Sequence, residues 1–519
     1  AGPEFTITRG NNVWAQEDEN GNNGTGFSPE GTAELIFDFE FDFTQDPALS
    51  LDASITNLFY LNNMLHDIFY EYGFDEASGN FQQNNYGNGG NGNDFVYADA
   101  QDGSGTNNAN FATPGDGGKP RMQMFLWDGA VISGSLLTIN DSPLAGNYEG
   151  VPAAFGGEIV DLTEDLVLVE DDGATGDIYD ACDPIINGVD LVGKIAVIRR
   201  GACEFGFKAL AAENEGAVAV IMVNNVEGEA ITMAPGAVGD QVTIPLFMVN
   251  NMDGEAIIEQ LLTGTVNATI NGVTVGPMID ASLDNEIIAH EYGHGISNRL
   301  TGGGNNTGCL NNAEQMGEGW SDYLGLIITM KVGDQADDGR GMATYSAGQG
   351  LDGGGIRQYK YSRDMIENPL TYSDLPATGG QVHAVGTIWA TMLWDLTWDL
   401  IDVYGYDEDM FNGTGGNNIA MQLVLDGMKL QPCAPGFESG RDAIIEADEL
   451  AYGGENKCLI WETFARRGLG SGATQGSSAS VTDGTAAFDI PADCENLGIN
   501  DTNLDNKFII YPNPSNGNI

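Results

Sequence analysis

The stretch Asp284-Asn285-Glu286-Ile287-Ile288-Ala289-His290-Glu291-Tyr292-Gly293-His294 decides how the rest of this chain is read. A short apolar turn runs into His-Glu-x-x-His, and on a helix residues four apart share one face. His290 and His294 can therefore grip a single metal ion, and Glu291 between them can reach a water on it. Asp284 is placed to cap this helix, and Glu286 suits its first turn. Only four histidines occur in 519 residues, and two of them stand here. Gly293 and Gly295 interrupt the helix at about 1 kcal/mol each relative to Ala. That cost predicts close approach of another element.

A catalytic zinc takes three protein ligands and keeps one position open. The third candidate lies downstream, in Gly317-Glu318-Gly319-Trp320-Ser321-Asp322. A helix starting there puts Glu318 and Asp322 on one face. One carboxylate can bind the metal, and Glu318 is the candidate. The other can accept the free ring N–H of a liganding histidine and fix its tautomer. Glu291 is then the general base, taking a proton from the activated water. A developing oxyanion needs a donor besides the metal. His383 is the remaining candidate, after the turn Gly379-Gly380-Gln381-Val382 and at the start of a helix on which Val385, Ile388, Trp389, Met392, Leu393 and Leu396 keep a 3.6 period. His66 falls on a helix predicted over 52–72, beside the apolar face of Ile55, Leu58, Phe59, Leu65 and Phe69, and reads as structural.

With 42% hydrophobic residues over this length, the chain should form two or three domains with sizeable cores. Nineteen basic against 76 acidic residues give a formal charge of −57, which excludes nucleic acid and anionic membrane surfaces as natural partners. The acidity reads first as solvation, with calcium binding as the sharper alternative; Asp334, Asp337 and Asp338 are candidate calcium ligands, although nothing forms an EF-hand loop. No apolar run is long enough to span a bilayer. Six cysteines, none in a C-x-x-C pair, together with many Asn/Gly-rich loops, favour disulfides and a secreted, extracellular setting. Spacing alone leaves the pairing open, and Cys182 with Cys203 is the first expectation.

The alternation over 34–43 reads as an edge-like strand, 82–119 as mostly loop, and 121–127 as a strand. From 131 to 275 the texture becomes strand, helix, strand, with no histidine. Lys194-Ile195-Ala196-Val197-Ile198-Arg199 is a buried-type strand there, and the segment reads as a small inserted α/β domain. The region 284–491 reads as mostly helical. Residues 495–519 look like a linker and the start of something further.

Taken jointly, the run from His290 to Gly303 and Met316-Gly317-Glu318-Gly319-Trp320-Ser321-Asp322 closely resemble the fungalysin family of secreted, thermolysin-like zinc metalloendopeptidases. Further matching stretches are 2–12, 57–64, 102–111, 427–433 and 465–470. The resemblance implies an α+β, bilobed catalytic unit: a β-rich lobe over 1–130 and a zinc helix with a helical lobe over 276–494. It implies His290, His294 and Glu318 as zinc ligands, Glu291 as the catalytic residue, Asp322 as the partner behind a ligand and His383 as transition-state donor. Asn108 and Ala109 look like the edge that binds the substrate backbone, and Arg357 looks like a donor to a substrate carbonyl. Thermolysin also has a tyrosine donor and an aspartate that orients the catalytic histidine. Neither is placed here, since Asp374 stands further from His383 than expected. The insert, 131–275, resembles a protease-associated domain, and 511–517 resembles the opening of a type IX secretion sorting domain. Relatives carry an inhibitory propeptide.

These readings converge on a secreted, monomeric zinc endopeptidase acting on proteins and peptides. The rivals are a degenerate, non-catalytic binding protein and a calcium-dependent adhesin; a structural zinc site would have no use for the base at Glu291.

Overall fold

The computed structural model describes residues 5–129, 135–174, 176–226, 228–272 and 276–495. Two compact units emerge: Ala130–Gly276 is one, and Ala1–Gly129 with Pro277–Ile519 is the other. The stretch 511–517, read as the opening of a sorting domain, lies outside the described residues.

The larger unit opens with strand β1 (Val13–Glu17), helix α1 (Leu51–Glu71) and strands β2 (Val96–Ala100), β3 (Ala109–Ala112), β4 (Arg121–Met124) and β5 (Leu126–Trp127). The first four strands form a sheet in the order β1-β2-β4-β3. β3 runs antiparallel to β4, with Ala109 opposite Met124, and leaves its other edge free among the described residues. α1 buries Ile55, Leu58, Leu65 and Phe69 as its spacing predicts. His66 is buried too; its Nδ1 meets Asp67, and its Nε2 meets Asn80 and Gln82, a structural role.

One expectation fails here. Residues 34–43 form no strand, and Leu35, Ile36 and Phe43 lie exposed. Alternation says which face a strand could bury, yet without a neighbouring edge to take its hydrogen bonds no strand forms. The stretch 82–119 is mostly loop, as its composition predicts, and also carries β2 and β3. These strands are short, and their Asn, Asp and Gly content hides them from propensity.

The smaller unit contains β6 (Leu137–Ile139), β7 (Gly146–Tyr148), β8 (Val151–Pro152), β9 (Leu162–Leu168), α2 (Gly188–Leu191), β10 (Ile195–Arg199), α3 (Phe205–Asn214), β11 (Ala219–Val223), β12 (Leu246–Val249), α4 (Asn251–Leu261) and β13 (Val266–Ile270). Its sheet runs β7-β6-β13-β9-β10-β11-β12-β8, and β9 to β12 are parallel neighbours. Ile195 and Val197 join one apolar cluster, Ala196 and Ile198 the other. Both faces of the sheet are covered, which is why these strands are continuously apolar. Lys208 on α3 is wholly buried; its Nζ donates to the Asp180 carbonyl and lies 3.0 Å from Cys182 Sγ. Cys182 is bonded to Cys203.

The chain re-enters the larger unit through β14 (Ile279–Asp280), which pairs with β5. Helices α5 (Asn285–Leu300), α6 (Gly317–Ile328), α7 (Val382–Tyr404), α8 (Gly416–Leu430), α9 (Phe437–Tyr452) and α10 (Lys457–Arg466) follow. Disulfides Cys309–Cys433 and Cys458–Cys494 tie this part together. Glycines set the spacing of the central trio. A Cβ on Gly293 of α5 would stand 3.0 Å from Ser321 Cα of α6, and one on Gly319 of α6 would stand 2.5 Å from the Gly386 carbonyl oxygen of α7. A Cβ on Gly295 would strike Phe111 at 2.7 Å, so α5 is pressed against the sheet as well.

Candidate metal centre

Asp284 caps α5, its Oδ1 accepting from the Glu286 and Ile287 amides. The helix it starts carries His290 and His294 one turn apart, with ring centroids 4.7 Å apart and planes nearly perpendicular at 86°. Glu318 reaches across from the first turn of α6. His290 Nε2 lies 3.2 Å from Glu318 Oε2, and His294 Nε2 lies 3.7 Å from Glu318 Oε1. Donor atoms of the three residues all fall within 4.8 Å of one another. Two ring nitrogens and a carboxylate at this spacing match a three-ligand zinc site with a position left open.

The supporting groups are buried. His290 Nδ1 is 2.7 Å from Asp322 Oδ1. Arg357 clamps Asp322 from behind, with Nε donating to Oδ2 and Nη2 to Oδ1, each at 2.7 Å. The Tyr361 hydroxyl also donates to Asp322 Oδ2. Burial opposes the charge on Asp322, but Arg357 and His290 outweigh it and hold the carboxyl well below the usual range. Burial would likewise depress His290, yet Asp322 and Glu318 push it up to about 10. Carboxylates that favour a proton between these groups favour a divalent cation there equally. His294 is pushed down to about 4, chiefly by burial, which keeps its ring neutral with one nitrogen free to bind a metal.

Glu291 is buried, and burial raises its carboxyl to about 7. Its Oε2 is enclosed without a hydrogen-bond donor. A buried oxygen left this way costs roughly 1–3 kcal/mol, and a cation with its water would satisfy it. The residues present therefore fit a zinc ion.

A cavity of about 360 Å³ opens over this cluster. Asn108, Ala109, Trp127, Ile287, Met342, Ile356, Arg357 and His383 complete its walls. All nine site residues read from sequence thus come to one place, and β3 presents its free edge there. His383 starts the second turn-face of the cleft, with Nε2 3.5 Å from Glu318 Oε2.

Sequence reasoning missed two residues. Tyr361 is one, since nothing in its local pattern marks a partner of Asp322. Gln381 is the other. Its Oε1 accepts from the Ala384 amide at 2.6 Å, as N-cap of α7, which turns its Nε2 toward His383 Nδ1 at 2.8 Å. An amide donating to Nδ1 makes that nitrogen the acceptor and leaves the proton on Nε2. The carboxylate sought for orienting His383 is replaced by an amide.

The candidate calcium ligands do not gather. Asp334 accepts from Arg340, and Asp337 lies 3.9 Å from Arg363. Among the described residues another acidic group, Asp18, Asp99 and Asp102, does come together. Its oxygens are answered by Arg121, Gln16, Gln123 and backbone amides.

A carboxylate-and-imidazole cluster beside a buried free carboxylate is the donor set of a divalent-metal centre. The particular family follows from comparison. The fungalysin metallopeptidase (M36) profile matches residues 1–473, and the chain belongs to that family. Extracellular metalloproteinase 2 of Arthroderma gypseum is 34% identical over 501 residues, 95% of this chain and 55% of the relative. Extracellular metalloproteinase 2 of Trichophyton rubrum is 33% identical with the same coverage, and extracellular metalloproteinase MEP of Neosartorya fischeri is 33% identical over 92% of this chain and 54% of its own. The chain spans about half the length of the curated relatives it matches. Among solved structures, an aminopeptidase from Aneurinibacillus sp. strain AM-1 is 20% identical over 42% of this chain and 45% of its own, with a TM-score of 0.24, too low to carry an argument. Membership in the family implies a catalytic zinc.

Proposed function

We propose that this chain is a secreted zinc endopeptidase that hydrolyses internal peptide bonds of proteins and peptides. What carries the reading is the meeting, in one cavity, of a three-donor metal cluster, the orphan carboxylate of Glu291 and the free edge of β3. His290, His294 and Glu318 would hold the zinc. Once bound, zinc supplies Lewis acidity toward a water and toward the substrate carbonyl. Asp322, steadied by Arg357 and Tyr361, orients the His290 ring. Glu291 accepts the attacking water's proton and returns it to the leaving amine. The substrate lies extended along Asn108 and Ala109, adding a strand to β3. His383 Nε2–H donates to the carbonyl oxygen as it gains charge. Arg357 Nη1, which bonds no described residue, is the second donor to substrate.

On the same reading the larger unit is a thermolysin-like catalytic domain whose sheet lobe and helical lobe flank the cleft. The 130–276 unit is a protease-associated domain. Three disulfides and the extracellular relatives support export, with an inhibitory propeptide before maturation and a monomer afterwards.

The test is a quenched-fluorescence peptide assay on the zinc-loaded protein and its Glu291→Gln variant. The variant should keep its zinc and its melting temperature and lose at least about 10²-fold in kcat. Cleavage at the unaltered rate would rule the mechanism out.

A further inference from the structure

A second cavity, of about 760 Å³, adjoins the first and shares Asn108, Trp127, Ile356, Arg357 and His383 with it. It runs beyond the catalytic groups to a 3₁₀ helix, Tyr372–Thr378, and to the first turns of α7. The chemistry assigned to the site has no use for this space. Its volume lies in the range that accepts a sizeable ligand group. Leu370 and Ile388 provide an apolar lining beside Trp127 and Ile356, while Asp374 stands on the wall.

The charges facing this cavity are few. Asp374 Oδ2 accepts from the Thr371 amide and hydroxyl, and Oδ1 has no hydrogen bond to a described residue. Arg357 is the one permanently cationic side chain on the wall, and Asp322 already neutralises it at 2.7 Å. His383 is turned toward Gln381, whose Nε2 lies 2.8 Å from its Nδ1. The carboxylate of Asp374 is therefore the uncompensated charge in the cavity, in a chain of formal charge −57 that draws cations from a distance.

We infer that this cavity is a second side-chain subsite, and that Asp374 makes it select lysine or arginine in the substrate, one or two residues from the cleaved bond. The inference rests on the peptidase reading above. Trp127 and Ile356 pack the methylene stem, as apolar surface does for long basic side chains, and Asp374 Oδ1 receives the cationic head. Trp127 and Ile356 belong to both cavities, so the two substrate side chains pack on opposite sides of one wall and are read together.

The experiment is a cleavage profile of the zinc-loaded protein on a peptide library, repeated with Asp374→Asn. Asparagine keeps an oxygen for the Thr371 amide and hydroxyl, so the 3₁₀ helix stays capped while the charge goes. The unaltered protein should enrich Lys and Arg at one position near the cut. The variant should lower kcat/KM about five-fold for such peptides and leave their Gln and Met counterparts unchanged. Cleavage with no basic preference, or a preference that survives Asp374→Asn, overturns the inference and leaves the peptidase reading standing. Absence of cleavage by the unaltered protein overturns both.

Discussion

Each unit buries charged side chains, and it does so in opposite ways. In the smaller unit Lys208 is sealed in, with the Asp180 carbonyl, the buried Asp180 carboxylate at 3.8 Å and the Cys182–Cys203 disulfide as its company. In the larger unit His290, Glu318 and Arg357, with Asp322 behind them, are almost as deep, but they border a cavity where Glu291 keeps an oxygen without a donor. A sealed, answered charge holds a fold together. A charge that is answered on one side and orphaned on the side of a cavity is held ready for something that comes from outside.

The strongest test of this contrast is Asp322→Asn. It removes the counter-charge of Arg357 and the partner of His290 Nδ1. Zinc affinity or kcat/KM should fall about 10–100-fold, and breaking a buried pair should cost about 3–5 kcal/mol of stability. Zinc content after dialysis and a denaturant titration read the two. Next comes Lys208→Met, which should cost about 3 kcal/mol in unfolding of the smaller unit and leave kcat/KM per folded molecule unchanged. A fall in kcat/KM would break the contrast.

Glu314 is an instructive third case: fully buried in the larger unit, with no cationic partner, only the Phe437 amide and Tyr372 nearby, and no part in the cleft. Burial pushes its carboxyl up to about 7, against the nearby Phe437 amide. A carboxyl whose pKa is raised on folding binds its proton more tightly in the folded state. Stability therefore falls as pH climbs from about 4.5, the unfolded value, through about 7. Glu314→Gln should melt with the unaltered protein near pH 4 and a few degrees above it at pH 8. Equal melting at pH 8 would show that the carboxylate is answered after all. The smallest effect is expected from Gly293→Ala, where helix propensity gains about 1 kcal/mol and overpacking against Ser321 costs about 1–3 kcal/mol. A net loss of about 1 kcal/mol in a thermal melt, with weaker zinc retention, would show that the α5–α6 spacing sets the ligand distance.

The metal cluster was legible in the sequence because helical spacing is local: His290 to His294 and Glu318 to Asp322 each span one turn, so pattern alone places both pairs on a face. The glycines foretold the close helix packing for the same reason. The failures share a different origin. At 34–43 the alternation was real, but pairing depends on an edge that sequence does not announce. β3, the edge proposed for the substrate, is a four-residue strand within Asn/Gly-rich surroundings, and resemblance rather than pattern pointed to it. Gln381 escaped because its role depends on which way an amide is turned, and the backbone of α7 decides that.

The disulfide between Cys309 and Cys433 has a consequence for survival. It pins the connection between the two ligand-bearing helices, 301–316, where Asn312 also bonds the carbonyls of Pro435 and Ser478. A peptidase that accepts extended chain is surrounded by copies of itself, and every loose loop on those copies is a meal. Cleavage needs a segment to open locally into the extended form. On the peptidase reading, stapling this connection makes rarer the local opening that self-digestion between His294 and Glu318 requires.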